Sequence, residues 1–173
     1  MQKLIIIRGH SGSGKSTFAR QKISEFQAEY PNAQIYHVEN DQFLEQDGKY
    51  YWTPERLNVA KQQAEQAVGS ALNFAKQNPQ MDVLLVVSNV GAKADVVNRL
   101  AERAQRQGMA VEIYRMQNFF KNTHNVRKAV VYAMFIDLNN NPVENEIFVP
   151  AVQPMSKRDK VAIERMKLAQ ENK

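Results

Sequence analysis

The chain has 173 residues, of which 43% are hydrophobic and 24% are charged, and it contains no cysteine. This length predicts one α/β domain with its own core, and the missing cysteine excludes a disulfide framework, a thiolate zinc site and a thiol nucleophile. No stretch has the length of a signal segment or a membrane span, which predicts a cytoplasmic protein with no membrane partner.

Short apolar runs alternate along the chain with longer segments of helical spacing. The predicted strands are 3–8, 34–38, 83–87, 111–116 and 147–149, and the predicted helices include 16–30, 94–106, 121–136 and 156–171. A polar, aromatic loop at 39–52 precedes the longest helix, which opens at Thr53 and Pro54 and ends before Pro79. This order predicts a parallel sheet with helices on both faces, in one domain over 1–173.

The strongest motif lies between the first strand and the first helix. Gly9-His10-Ser11-Gly12-Ser13-Gly14-Lys15-Ser16 fits the P-loop pattern G-x-x-x-x-G-K-[ST]. Such a loop binds nucleoside triphosphate through backbone N–H groups and the helix N-terminus, and we extend the predicted phosphate-binding set to Thr17. Lys15 is predicted to reach the β- and γ-phosphates of ATP, and Ser16 to ligate Mg²⁺. The fold class is therefore predicted to be a P-loop NTPase.

Two other classes of P-loop protein are excluded by their missing motifs. A GTPase needs an Asn-Lys-x-Asp base reader late in the chain, and the sequence has none. An AAA+ motor needs a longer chain and an acidic pair after the third strand, which here ends in Ser88 and Asn89. A small P-loop kinase remains, or a nucleotide-binding protein derived from one.

Asp41 follows the second predicted strand and is the candidate general base. Ligands gather at the carboxyl ends of parallel strands, so Asp41 is expected beside the P-loop, where a carboxylate can accept the proton of an attacking hydroxyl. An aspartate that caps a helix or a turn explains the same position equally well.

The motif at 9–16, Asp41 with Phe43 after it, and the long helix that follows resemble the phage-type polynucleotide 5′-kinases and related small P-loop kinases. In that family the second strand ends in two aspartates and an aromatic residue. The first aspartate is the general base, a role that the resemblance implies for Asp41. The stretch 121–126 resembles the opening of the family's lid, which implies a lid around 117–137.

The chain also departs from that family. Gln42 replaces the second aspartate, Lys121 stands where the family often has arginine, and Ser88-Asn89 replaces the aspartate that usually ends the third strand. The stretch 137–150 has no counterpart. These differences leave the substrate open and bear on catalysis.

The cations of the second half suggest two further roles. Residues 1–86 carry 9 basic and 9 acidic side chains, whereas residues 87–173 carry 14 and 9, so the net charge of +5 lies in the second half. Lys121, Arg127 and Lys128 are placed to close over a transferring phosphoryl group, or simply face solvent. Other basic residues of this half form either a polyanion-binding surface or solvated helix faces, and they include Arg99, Arg103, Arg106, Arg115, Lys157, Arg158 and Lys160.

Three functional classes follow from these features. The first is phosphoryl transfer from ATP to a hydroxyl, with a polynucleotide 5′-end, and so a single-stranded nucleic acid partner, as the leading acceptor. The second is a kinase of the same architecture that acts on a nucleoside, a sugar or an antibiotic. The third is a non-catalytic ATP-binding regulatory module, which the missing carboxylate at Ser88 and Asn89 favours. The sequence leaves the oligomeric state open.

Overall fold

The computed structural model describes residues 1–40, 53–121 and 126–172, together with the backbone of 45–46 and 49–50. Five parallel strands form the central sheet in the order β2-β5-β1-β6-β7. These strands are β1 (Gln2–Arg8), β2 (Gln34–Val38), β5 (Val83–Asn89), β6 (Ala110–Arg115) and β7 (Ile147–Phe148). A separate antiparallel pair joins β3 (Glu45–Gln46) to β4 (Lys49–Tyr50).

Among the described residues, five helices accompany the sheet. They are α1 (Lys15–Glu29), α2 (Pro54–Gln77), α3 (Ala94–Arg106), α4 (Lys128–Asn140) and α5 (Lys157–Glu171). Alternate residues of β1 enter different cores: Leu4 and Ile6 pack with α2 and α3, whereas Ile5 and Ile7 pack with α1. The segments 4–7 of β1 and 83–87 of β5 are continuously apolar because both faces of the sheet are covered.

The predicted architecture is confirmed, and several predicted boundaries hold closely. The observed bounds of β2 and α3 are the predicted ones. Thr53 accepts a hydrogen bond from the Arg56 N–H as the N-cap of α2, and Pro54 takes the first helical position. Ser156 and Asp159 form a reciprocal capping box at the start of α5. Local capping residues therefore predicted the starts of α2 and α5 correctly.

Two predictions about irregular segments are wrong in part. The segment 39–52 is not only loop, since it contains β3 and β4. The helix predicted at 121–136 begins instead at Lys128 and continues to Asn140. Arg127, immediately before it, has an extended backbone with a φ of −60° and a ψ of 142° and is the N-cap. The chain therefore enters the helix at Lys128.

A buried ion pair joins the end of β1 to the segment after α4. Arg8 Nη1 lies 2.6 Å from Glu146 Oε2, and their side chains are 0% and 3% exposed. Arg8 also donates to the carbonyls of Gly91 and Asn141, both at 2.8 Å. Arg8 immediately precedes the P-loop, so this network fixes the point where the chain leaves the sheet.

Arg115 is a second buried arginine, and it pairs with Arg8 in the register of β1 and β6. Its guanidinium donates to Asn139 Oδ1 and lies over the ring of Phe135. Burial lowers the pKa of Arg115 to about 10. Because Arg115 is only 1% exposed, its assignment to a polyanion-binding surface is wrong.

In the part of the chain that the structure describes, no helix combines the length and apolarity needed to cross a lipid bilayer.

Candidate nucleotide-binding site

The loop between β1 and α1 requires glycine at two positions. A Cβ at Gly9 would lie 2.3 Å from the Ser13 hydroxyl oxygen, so no larger residue fits there without a shift. Gly14 has a φ of 99°, in the left-handed region that glycine tolerates best. The Gly9 N–H donates to the Val90 carbonyl at 3.2 Å, which fixes the loop against the end of β5.

Helix α1 presents its N-terminus to this loop. Gly14 is its N-cap and supplies no side-chain cap, and the first turn of this fully described helix contains no acidic residue. The N–H groups of the first turn and the positive end of the helix dipole therefore favour an anion. Lys15 Nζ donates to the carbonyls of Gly9 and His10 at 2.9 Å, so its ammonium lies directly over the loop. Thr17, in the first turn of α1, is exposed and accepts a hydrogen bond from Arg20.

Asn118 connects the P-loop to the segment before α5. Its backbone N–H and its side-chain amide both donate to the Ser13 carbonyl, at 3.3 Å and 3.0 Å. Its Oδ1 accepts from the N–H groups of Val152 and Gln153. Asn118 is not predictable as a site residue, because nothing in the sequence pattern marks a side chain that bridges two distant loops.

His10 is a fully buried member of the loop. Its ring lies 4.2 Å from the ring of Phe119, and Nε2 contacts the Asn118 carbonyl at 2.6 Å. Since a carbonyl only accepts, Nε2 carries the proton of the neutral ring. Burial lowers the pKa of His10 to about 4, the Asn118 hydrogen bond opposes this, and the positive charges of Lys15 and Arg115 lower it further.

Glu39, which directly follows β2, contacts the predicted Mg²⁺ ligand. Its Oε1 accepts from the hydroxyls of Ser16 at 2.9 Å and Ser88 at 2.7 Å, and lies 3.2 Å from His37 Nε2. Burial by itself would raise the pKa of Glu39. The hydrogen bonds from His37, Ser88 and Ser16 outweigh it and hold that pKa at about 2. A carboxylate therefore stands beside Ser16 and stays ionised at neutral pH.

The donor set at this point fits a magnesium ion. Mg²⁺ prefers oxygen ligands and is commonly bound through one or two protein groups plus phosphate oxygens and water. The Ser16 hydroxyl and the Glu39 carboxylate, 2.9 Å apart, supply such oxygens. Within the described ranges, no group of three or more His, Asp or Glu side chains could hold a metal by itself.

The three predicted lid cations lie at different places. Lys121 is exposed and lines a cavity of about 580 Å³ together with Ser11 of the P-loop. On the α4 side Lys128 lines this cavity, whereas Arg127 is the exposed N-cap of α4. The remaining lining residues are Phe119, Phe120, Val126, Val131, Tyr132 and Asp159. The structure thus brings Lys121 and Lys128, but not Arg127, to a cavity shared with the P-loop.

Asp41, the predicted general base, lies outside the described residues, and so do residues 122–125 of the lid-like stretch. Its role stays a prediction. Glu39 was passed over because the sequence shows only that it follows a strand. Its contact with Ser16 depends on the order of the strands in the sheet.

Some of the basic side chains of the second half are paired along α3. Arg99 lies 3.5 Å from Asp95 and Arg106 lies 3.6 Å from Glu102, and all four are well exposed. Their spacing of four residues is typical of solvated helix faces. For these two arginines the local structure matches the interpretation of the basic residues as part of solvated helix faces.

The sequence matches no family model. It is 52% identical over 157 residues to the uncharacterized protein PM0531 of Pasteurella multocida (strain Pm70), across 91% of this chain and 88% of that protein.

Solved structures resemble the whole fold at low sequence identity. Chaetomium thermophilum Kti12 in complex with ADP-AlF3 has a TM-score of 0.55 at 9% identity, over 96% of this chain and 98% of Kti12. The Mycobacterium tuberculosis APS kinase CysC in complex with AMPPNP and APS has a TM-score of 0.50 at 13% identity, over 98% of both chains. AvrRxo1-ORF1:-ORF2 with ATP reaches 0.58 at 16% identity, over 80% of this chain and 47% of that one.

These likenesses establish the fold, and the resemblance to phage-type polynucleotide 5′-kinases in particular stays a prediction. The chain has the fold of the P-loop kinases, and it belongs to the same family as PM0531 of Pasteurella multocida.

Proposed function

We propose that the protein transfers the γ-phosphoryl group of Mg²⁺–ATP to a hydroxyl group. The observation that carries this proposal is the convergence of Lys15, Ser16 and Glu39 at the P-loop, where α1 presents its uncapped N-terminus. The structures of similar fold contain ADP-AlF3, AMPPNP and ATP, which supports a nucleotide as the ligand of this loop.

The proposed reaction uses the groups of the loop in distinct roles. The backbone N–H groups and the Lys15 ammonium would bind the phosphate oxygens and stabilise the charge that develops on them. The acceptor oxygen forms a bond to the γ-phosphorus while the bond to the bridging oxygen of ADP breaks. Asp41 would accept the proton of the attacking hydroxyl. Magnesium would be held by Ser16 and would neutralise phosphate charge.

Lys121 and Arg127, within the proposed lid at 117–137, are candidates to contact the transferring group. Lys121 already lines a cavity with Ser11 of the P-loop. Arg127 would have to approach from the start of α4, where its side chain is exposed. A cation supplied in this way can accelerate transfer by about 10³- to 10⁵-fold.

Two versions of this function differ in the class of the acceptor. A polynucleotide 5′-end is the acceptor that the family resemblance implies. A small hydroxyl compound is favoured by a different observation, since Arg115 is buried and Arg99 and Arg106 are paired, which reduces the cationic surface left for a polyanion. The non-catalytic alternative loses its main support, because Glu39 places a carboxylate beside Ser16.

A transfer assay tests the proposal directly. Radiolabelled ATP is incubated with the protein and with 5′-hydroxyl DNA, 5′-hydroxyl RNA or a panel of nucleosides and sugars. We expect label on one acceptor class, and Asp41→Asn should slow transfer by about 10²- to 10⁴-fold while ATP binding is retained. Bound ATP with no label on any acceptor would favour the regulatory module instead.

A salt titration distinguishes the two acceptor classes. Three or four phosphate contacts on a single strand give a slope of log affinity against log salt of about −2 to −3. The double variant Arg127→Glu, Lys128→Glu should flatten that slope and leave ATP affinity nearly unchanged. An oligonucleotide that fails to bind at low salt would eliminate the polynucleotide version.

A further inference from the structure

The strand that ends beside the P-loop carries no carboxylate. β5 ends in Ser88 and Asn89, whereas the Mg²⁺ of P-loop enzymes is ordinarily held by the P-loop hydroxyl together with an aspartate. A phosphoryl-transfer site in this chain must therefore obtain its second oxygen ligand from another element.

Glu39 lies at the adjacent strand end and has the contacts that such a ligand needs. All three of its polar contacts, to Ser16, Ser88 and His37, involve Oε1. Its Oε2 makes no hydrogen bond to any residue that the structure describes. The side chain is 18% exposed, so this second oxygen belongs to a group that solvent still reaches. One carboxylate oxygen is thus held in place, and the other remains available to a metal ion or a metal-bound water.

The two residues that end β5 both hold the segment that carries Glu39. The Ser88 hydroxyl donates to Glu39 at 2.7 Å, and Asn89 Oδ1 accepts from the Asn40 N–H at 2.8 Å. The parallel register, in which Val38 pairs with Val87, brings these positions side by side. Ser88 and Asn89, which end β5 where an acidic residue was expected, therefore position the Glu39 carboxylate at the end of the neighbouring β2.

The bond between Ser16 and Glu39 also suits the serine for metal binding. A hydroxyl has one donor and two acceptor lone pairs. Ser16 donates its hydroxyl hydrogen to Glu39 in this hydrogen bond, so both lone pairs of its oxygen remain available for a cation. The same hydrogen bond can persist when the ion is present.

We propose that Glu39 is the carboxylate that anchors the nucleotide-bound magnesium ion, directly or through water, in place of an acidic residue at the end of β5. Ser88 is the positioning residue that holds it. This inference rests on the proposed ATP-dependent phosphoryl transfer.

The test measures metal binding rather than activity. Mn²⁺ replaces Mg²⁺ as a spectroscopic probe, and its affinity for the protein–ATP complex is measured by electron paramagnetic resonance. Loss of a group that supports a metal site typically costs about 10- to 100-fold in metal affinity, and we expect Glu39→Gln to weaken Mn²⁺ binding by this factor. ATP binding in EDTA should be retained. Glu25→Gln, an exposed carboxylate on α1, is the matched control and should leave Mn²⁺ affinity unchanged.

Two further variants keep the test decisive if Glu39→Gln folds poorly. Ser88→Ala removes the 2.7 Å hydrogen bond to Glu39 and the 2.9 Å contact with His37 Nε2, and it should weaken Mn²⁺ binding by a smaller factor. The double variant Glu39→Gln, Ser88→Asp moves the carboxylate to the end of β5 and should recover part of the lost affinity. Such a rescue would not follow from a purely structural role of Glu39.

The possible failures are distinguishable. Unchanged Mn²⁺ affinity in Glu39→Gln, with a lower melting temperature of the nucleotide-free protein, would show that Glu39 only holds the ends of β2 and β5 together, and would overturn this inference alone. A wild-type protein that binds no ATP in EDTA or in Mg²⁺ would overturn both this inference and the proposed function.

Discussion

Acidification is expected to destabilise the fold through His10. In the unfolded chain this imidazole has its ordinary pKa of 6.5, whereas in the folded protein burial lowers the pKa to about 4. Between these values the unfolded state binds more protons, so the free energy of unfolding falls as the pH falls. The contribution is fully present above the unfolded pKa and is lost by about pH 4.

The size of the effect follows from the two pKa values, 6.5 and about 4. At about 1.4 kcal/mol for each pKa unit, their difference amounts to about 3 kcal/mol, of which about 2 kcal/mol is lost between about pH 7 and about pH 5. The second proton would fall on Nδ1, which is buried and has no hydrogen-bonding partner among the described residues. The charged groups that act on the ring are Lys15 and Arg115, which oppose protonation, and Asp159, which favours it.

The assay is urea unfolding at several pH values in this window, for the wild type and for His10→Gln. Glutamine does not titrate, and its amide can donate to the Asn118 carbonyl in place of Nε2. We expect the wild type to lose about 2 kcal/mol more than the variant between about pH 7 and about pH 5. Other titrating groups are common to both proteins and cancel. If the unfolding free energies of the wild type and of His10→Gln changed equally with pH over this window, the assignment of His10 as a buried neutral histidine would be refuted.

Two further predictions concern stability and are checked by chemical and thermal unfolding. Glu146→Gln leaves Arg8 buried without a counter-charge and should cost about 3–5 kcal/mol, whereas Glu102→Gln, in an exposed pair, should change the unfolding free energy by less than about 1 kcal/mol. Equal effects of the two substitutions would contradict the buried ion pair. A Cβ meets nothing within 4 Å at Gly69 or at Gly108. Gly69→Ala, inside α2, should therefore stabilise by about 0.5–1 kcal/mol. Gly108→Ala should destabilise by about 1–2 kcal/mol, since φ is 84° there.

The regular elements could be predicted from sequence because their signals are local. The P-loop pattern fixed the end of the first strand and the start of α1, and Thr53 with Pro54 marked the start of α2. The continuous apolar run at 83–87 correctly indicated a strand at the centre of a parallel sheet. In each case, neighbouring residues decide the conformation.

The parts that sequence reasoning missed depend on the order of the strands. Glu39 meets Ser16 and Ser88 only because β5 lies between β2 and β1 in the sheet. Arginine is rarely buried, so nothing local marks Arg8 and Arg115 as core residues. Arg8 is buried because Glu146, far along the chain, supplies its counter-charge.

The predicted start of α4 at 121 is too early. Arg127 has an extended backbone and is the N-cap of α4 without a side-chain hydrogen bond. Because arginine is not one of the residues that favour the N-cap position, no local signal marks this boundary.

The most direct test of the central claim is the melting temperature of the protein with and without millimolar Mg²⁺–ATP. At a hundredfold excess over the dissociation constant, binding adds about 2.7 kcal/mol, which corresponds to a rise of about 5–10 °C for a chain of this size. Lys15→Ala should abolish most of that rise, whereas Lys61→Ala, an exposed lysine on α2, should retain it. A wild-type melting temperature that Mg²⁺–ATP leaves unchanged would contradict nucleotide binding at the P-loop.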